Sequence, residues 1–284
     1  MKLLAWDTSS KVGTLVAIEW DAQVQSQGWE SVRMVGEWTL NVSAAHSERL
    51  LWAVHQLLES AGWKIGDVDL FAVGIGPGSF TGLRIGVTTA RSLAHALRKP
   101  LIPISSLAAL VRPAALWLSE SEQFAKTVII GATDACKGEL FTLWGSARSV
   151  RDCVCLAHGD EAGLWKRGVE ETVILPQNLI EVISKKLAQN QREEGRASWL
   201  AVGDGRQRYL EIWKQLPKDQ ELESPFLFSH HVQGRYLAQL AWEAYQSGVY
   251  RSALDVHPRY VRASDAELKL KAGLLRAAPL GGDT

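Results

Sequence analysis

Gly74-Ile75-Gly76-Pro77-Gly78-Ser79-Phe80-Thr81-Gly82-Leu83-Arg84-Ile85-Gly86 is the stretch on which the fold turns. The continuous apolar run Leu70 to Ile75 enters it as a buried strand, and a helix is expected from Thr81 to Leu97. Glycines and a proline between strand and helix can aim backbone N–H groups at a helix N-terminus, an arrangement that suits an anion. The spacing is neither G-x-G-x-x-G nor G-x-x-x-x-G-K-[ST], and no lysine follows, which argues against a P-loop NTPase. The plainer reading is a tight strand-to-helix turn that lets backbones pack closely.

Working outward, Lys2 to Asp7 reads as a short buried strand closing on an acid, with Gly13 marking a turn into a second strand, Thr14 to Trp20. Glu37 to Val42 alternates as a third strand, and the polar segment Asp21 to Gly36 reads as a long hairpin loop. Leu50, Leu51, Val54, Leu57, Leu58 and Ala61 then form one stripe of an amphipathic helix, with Ser43 or Ser47 to cap its start and Gly62 its end. Leu101 to Ile104 is a further strand. Antiparallel-type strands followed by β-α-β-α units predict a mixed sheet with helices on its faces. The second half repeats this grammar. Val128 to Ala132 ends near Asp134 and pairs, across Lys137-Gly138, with Leu140 to Trp144. Strand, acid, turn and strand thus occur around both Asp7 and Asp134, which suggests a duplication. Lys185 to Ser198 reads as a polar surface excursion, Val202 to Gly205 as a strand end and turn, Ser229 to Gly248 as a helix, and Pro279 to Thr284 as a tail.

The chain has 284 residues, 46% of them hydrophobic, and 31 basic residues balance 31 acidic ones. That composition supports a packed core and argues against disorder, and zero net charge argues against a strongly basic nucleic-acid binder acting alone. Three cysteines cannot form a disulfide framework at this length and fit a reducing cytoplasm. The charged start is unlike a signal peptide, and there is no apolar run of about 18 residues to span a membrane. Most of the 12 tryptophans are expected in or near the core.

The stretch GPGSFTGLRIG, preceded by His46-Ser47-Glu48-Arg49-Leu50-Leu51, closely resembles the bacterial TsaB (YeaZ) family, the partner proteins in tRNA threonylcarbamoyladenosine synthesis. Asp7-Thr8-Ser9, Asp134-Ala135 with Gly138-Glu139, and Pro258-Arg259-Tyr260-Val261-Arg262 agree with that resemblance in order. It is strong to about residue 110 and weaker to about residue 265. Cys136, where the family usually has arginine, and the extended loop Asp21 to Gly36 depart from it. The resemblance implies an α/β fold, actin-like and sugar-kinase-like (ASKHA, ribonuclease H-like), of two related subdomains, each a mixed sheet flanked by helices. Residues 1–108 would form the subdomain carrying the partner-binding helices, 109–265 a diverged second one, and 266–284 a C-terminal tail.

Active members of that superfamily bring nucleotide phosphates against a glycine in the hairpin after the first acidic strand end, where a Cβ would intrude. Here Asp7 is followed by Thr8, Ser9 and Ser10, and the second hairpin reads Asp134-Ala135-Cys136, again without an early glycine. The enzyme paralogue, TsaD, carries a metal-binding His-x-x-x-His. None of His46, His55, His95, His158, His230, His231 and His257 is paired at i and i+4. No catalytic residue, cofactor or metal is therefore expected. Asp7 reads as a strand-end acid capping nearby N–H groups, and Cys153-x-Cys155 as structural. Ser79, His46 and Asp7 could suggest a hydrolase triad, but Ser79 lacks a G-x-S-x-G elbow. Asp7, Gly76, Pro77, Gly78, Ser79, Gly82 and Arg84 form the structural motif.

A non-catalytic partner needs a surface. Gly82, Gly86 and Ala90 form a small-residue stripe that would let a partner helix approach, or that packs on the chain's own sheet. Trp52, His55 and Glu59 form a second face of the first helix, with tryptophan a typical interface anchor. The resemblance implies pairing with TsaD through these helices, a homodimer when TsaD is absent, the ATPase TsaE in a larger complex, tRNA met indirectly through that complex, and a cytoplasmic location away from any membrane. A free-standing actin-like ATPase or kinase, and a peptidase, are the alternatives.

Overall fold

A computed structural model describes residues 1–23, 28–41, 46–152, 168–223 and 230–261. Ser43, Val42, the cysteine pair Cys153 and Cys155, Arg262 and the tail 266–284 lie outside the described residues. The first sheet holds β1 (Lys2–Asp7), β2 (Val12–Glu19), β3 (Arg33–Asn41), β4 (Leu70–Gly74) and β5 (Leu101–Ile104), in the order β3-β2-β1-β4-β5. The second holds β6 (Thr127–Asp134), β7 (Leu140–Ser146), β8 (Val169–Ile174) and β9 (Ser198–Val202), in the order β8-β7-β6-β9. In both, three strands pair antiparallel in succession and the fourth returns parallel to the first. The duplication read from two strand-end acids is thus a repeat of ribonuclease H-like strand order.

Helices α1 (His46–Ser60) and α2 (Phe80–Leu97) cover one face of the first sheet, packing on Leu4, Trp6, Phe71 and Val73. The other face, with Leu3, Ala5, Leu70 and Ala72, meets α3 (Ser106–Leu118) and α8 (Gly234–Gln246). Covered on both sides, β1 and β4 need apolar residues at every position, which is why they read as unbroken runs instead of alternating ones. The core around α3 continues into Ile129, Leu143 and Leu200 of the second sheet, so α3 lies between the two sheets. Its buried Arg112 pairs with Glu243 of α8, satisfying a charge that burial would otherwise make costly. On the outer face of the second sheet, Val128, Ile130 and Trp199 pack against α5 (Pro176–Glu194). The short helices α4 (Ala147–Arg151), α6 (Asp204–Arg208) and α7 (Leu210–Trp213) complete the α-helices of the described residues.

Several sequence expectations need correction. Gly13 is not a turn residue: it lies inside β2, opposite Leu40. β3 begins at Arg33, which shortens the expected hairpin loop. Leu51 is not part of the core stripe of α1 and is 54% exposed. The polar segment 185–198 is the second half of α5 followed by the start of β9. Its buried stripe of Leu179, Ile180, Ile183 and Leu187 starts upstream of the charged residues and was masked by them. The last helix starts at Gly234, not Ser229.

Candidate functional site

Asp7 closes β1 in the middle of the first sheet and is completely buried. Its carboxylate accepts from the Ser9 backbone N–H at 2.9 Å, from Ser9 Oγ at 2.6 Å, and from Ser106 Oγ. Burial raises its pKa above the ordinary value, and the bonds from Ser106 and Ser9 offset part of that. Gly74, at the end of the neighbouring β4, leaves room for it: a Cβ there would stand 1.8 Å from Asp7 Oδ2.

The glycine loop folds around this acid. Gly76 donates to Ser106 Oγ at 3.1 Å while Ser106 N donates back to the Gly76 carbonyl at 2.9 Å. Gly76 has φ +105°, a conformation that favours glycine, and it precedes Pro77 through a cis bond. Ser79 N donates to the Ser9 carbonyl at 2.6 Å, and a Cβ on Gly78 would come within 2.3 Å of that same oxygen. Ser79 Oγ caps α2 by accepting from Gly82 N at 3.3 Å. The loop is a strand-to-helix turn pressed on the first hairpin, with its serine used as a helix cap.

Gly82, Gly86 and Ala90 do not form a partner face. All three are buried in the chain's own interior, Gly82 and Gly86 against Thr8 just beyond β1. Thr8 Oγ1 donates to the Gly82 carbonyl at 2.7 Å and Trp6 Nε1 to the Gly86 carbonyl at 3.0 Å. Small residues recur there because α2 presses on Thr8, at the end of β1. Trp52, His55 and Glu59 are exposed together on α1. Trp52 is 56% exposed, beside Leu51, and its ring meets Trp38 of β3 at 6.0 Å.

Arg84 lies on the exposed side of α2. Its guanidinium stacks 4.0 Å over Phe80, and its Nε donates to Tyr260 Oη at 3.2 Å. Phe80 and Tyr260 are 4.9 Å apart. The Pro258-Arg259-Tyr260-Val261 segment therefore crosses the glycine loop, with Arg259 N donating to the Ile75 carbonyl at 2.8 Å. Arg259 Nη1 lies 2.6 Å from Oε1 of Glu171, whose side chain is 1% exposed. Sequence reasoning missed Glu171, Ser105, Ser106 and Phe80. The tandem serines after a predicted strand were the available signal, since serine there commonly caps a helix.

Between the two sheets lies a cleft of about 1310 Å³, lined by the first hairpin, the glycine loop and the second hairpin. Asp134 at its far wall pairs with Arg208 at 2.9 Å, and Asp204 accepts from the Asp134 backbone at 3.0 Å. Burial, together with the charge of Asp134, raises the Asp204 pKa. Among the described residues, no three His, Cys, Asp or Glu side chains group so as to hold a metal ion, and no helix is long and apolar enough to cross a membrane.

The buried acids make stability pH-dependent. Burial pushes Glu171 up to about 7, with Arg259 and Ser105 offsetting only part of the effect, and Asp7, Asp204 and Glu243 are raised for the same leading reason. An acid whose folded pKa is raised holds its proton more tightly when folded. Its contribution is full below the unfolded value and is lost as pH rises through the folded one. Thermal unfolding should therefore show stability falling between about pH 5 and pH 8, with Glu171 accounting for about 3 kcal/mol at most. Glu171→Gln should flatten part of that slope. A wild-type profile flat across this range would contradict the assignment.

The sequence profile of the family described as TsaD: tRNA N6-adenosine threonylcarbamoyltransferase matches residues 40–150. The chain is 30% identical to the tRNA threonylcarbamoyladenosine biosynthesis protein TsaB of Haemophilus influenzae, over 76% of this chain and 80% of that one. It is 30% identical to the protein of the same name from Escherichia coli, over 60% of this chain and 62% of that one, so the match spans less than two thirds of the E. coli relative. The solved structure of YeaZ from Pseudomonas aeruginosa superposes with a TM-score of 0.61 at 25% identity, covering 91% of this chain and 99% of that one.

Proposed function

This chain belongs to the TsaB family of tRNA threonylcarbamoyladenosine biosynthesis proteins, and from that premise we propose that it is a non-catalytic partner of TsaD, which it stabilises and activates through the exposed face of α1. The observation that carries the reading is the state of Asp7. At the place where an active relative of this fold would present a carboxylate and a phosphate-binding hairpin, the acid is fully buried and taken up by Ser9 and Ser106. The hairpin N–H of Ser9, a donor that a phosphate would need, is taken as well, since it donates to Asp7 Oδ1. A carboxylate with no exposed surface and with bonds on both oxygens supports the fold and is out of reach of a substrate.

The same proposal includes TsaE in a larger assembly, a homodimer through the same face when TsaD is absent, contact with tRNA through the complex, and a cytoplasmic setting. It also includes the division near residue 108 and a separate tail from 266. Co-purification with the TsaD of the same organism, followed by a tRNA modification assay, tests the reading. Modification should require both chains, and the isolated chain should turn over no ATP. ATP turnover abolished by Asp7→Ala, or stoichiometric zinc or iron in the purified protein, would overturn it and favour an actin-like ATPase. Proteolysis by the isolated chain would favour a peptidase.

A further inference from the structure

Glu171 stands where three separate parts of the chain meet. It belongs to β8, the edge strand of the second sheet. Ser105, in the turn that leaves the first sheet, donates its hydroxyl to Glu171 Oε2 at 2.7 Å and caps α3 by accepting from Ala108 N at 3.2 Å. Arg259 reaches the other carboxylate oxygen from the C-terminal segment. That segment has already returned to the first sheet, because α8 packs across β1, β2 and β5. The next residue, Ser106, serves the first sheet in the same way through Asp7 and the Gly76 carbonyl. Two adjacent serines at one helix start thus hold one buried carboxylate from each sheet.

We infer that the Ser105–Glu171–Arg259 junction is a latch: it fastens the strap Pro258–Val261 over the glycine loop and ties the second sheet to the first at the base of the cleft. The Arg259 side chain is held by Glu171 and its backbone N–H by Ile75. With both ends fastened, Tyr260 rests on Phe80 and Arg84 in the first turn of α2. Release at Glu171 removes the tie between the strap and β8, while the Arg259 N–Ile75 bond and the contacts of Tyr260 with Phe80 and Arg84 tie it to the first sheet alone. Opening is then a local event that leaves the two cores intact.

The latch responds to pH in a direction opposite to the fold. Among the described residues, Arg259 is the one charge that acts on Glu171; Ser105 faces it from the start of α3, and Leu143 is its paired neighbour on β7. Its proton is taken up near neutrality. As pH falls, the carboxyl, still enclosed in β8 beside Ser105, becomes neutral and its attraction for Arg259 is lost, while the fold as a whole gains stability from its buried acids.

Amide hydrogen exchange on the full chain, expressed as protection factors, separates the two trends. Protection at Arg259 should fall about tenfold from pH 8 to pH 6, while amides of β1 and α2 keep or gain protection. Glu171→Gln, which keeps an acceptor for Ser105, should show the low Arg259 protection at both pH values, with β1 and α2 unchanged. Arg259→Gln provides the second arm, since its backbone N–H at position 259 can still be followed, and it should show the same local loss. Wild-type protection at 259 in either variant overturns the latch. So does a uniform loss across all slow amides, or failure of both variants to fold, because either makes the junction a plain requirement of folding.

Discussion

Gly82→Val should destabilise the chain strongly, with a melting midpoint lowered by about 10 °C or more. A Cβ at 82 would stand 2.0 Å from the Thr8 carbonyl oxygen, which is a backbone atom of the segment leaving β1 and cannot swing aside. Accommodating it means moving α2 off the sheet. That movement breaks the bonds from Thr8 to Gly82 and from Trp6 to Gly86, both buried. Overpacking commonly costs about 1–3 kcal/mol, and each lost buried bond about 1 kcal/mol more. A total of about 4 kcal/mol is a large part of a typical stability of 5–15 kcal/mol, and each kcal/mol moves the midpoint of a chain this size by roughly 2–4 °C. Gly86→Leu should act in the same way, since its Cβ would lie 2.2 Å from Thr8 Oγ1. Ser79→Ala removes only a helix cap and should cost about 1 kcal/mol. Thermal unfolding of the three variants checks the order. A Gly82→Val protein melting within two degrees of wild type would show that α2 does not rest on β1 in this way.

The glycines show both how far a sequence can be read and where reading stops. Glycine or alanine at 82, 86 and 90 announces a close approach on one helix face, whatever lies opposite. A partner helix and the chain's own strand demand the same small residues, so periodicity could not choose between them. The choice was made by Thr8 and Trp6, whose side chains reach across to α2. The sheet around them was legible because β1 and β4, covered on both faces, must be apolar throughout, and because the two acid-ended strands repeat. α5 was not legible in full because only a narrow stripe of it is buried and its second half is charged. Glu171 was hidden for a different reason. It sits beside a second glutamate, Glu170, on β8, and its partners Ser105 and Arg259 lie 66 and 88 positions away in the chain. Only the packing of one sheet on the other brings them together.

With the small-residue stripe assigned to the interior, the partner proposal rests on the outer face of α1, and Trp52 is where it can be tested most sharply. Trp52→Ala should leave the melting midpoint close to wild type, because the side chain is 56% exposed and its removal opens no cavity in the core. Its contact with Trp38 is a tilted ring pair at 6.0 Å on the surface, contributing little to folding. Association should respond quite differently. A tryptophan that becomes buried at the centre of an interface typically contributes about 2 kcal/mol or more, which is roughly thirtyfold in Kd. Leu51→Ala, from the neighbouring exposed position, should weaken binding in the same direction by less. His55→Ala and Glu59→Ala, at polar positions that would form a rim, should change affinity by about threefold or less and mainly alter its salt dependence. Sedimentation and titration against TsaD, alongside thermal unfolding, separate these effects from misfolding. The double variant Leu51→Ala, Trp52→Ala is the decisive case. If it folds normally and still binds and activates TsaD with wild-type affinity, α1 is not the contact face. A partner must then be sought at the other exposed aromatic cluster, Phe80 and Tyr260, where the strap meets α2.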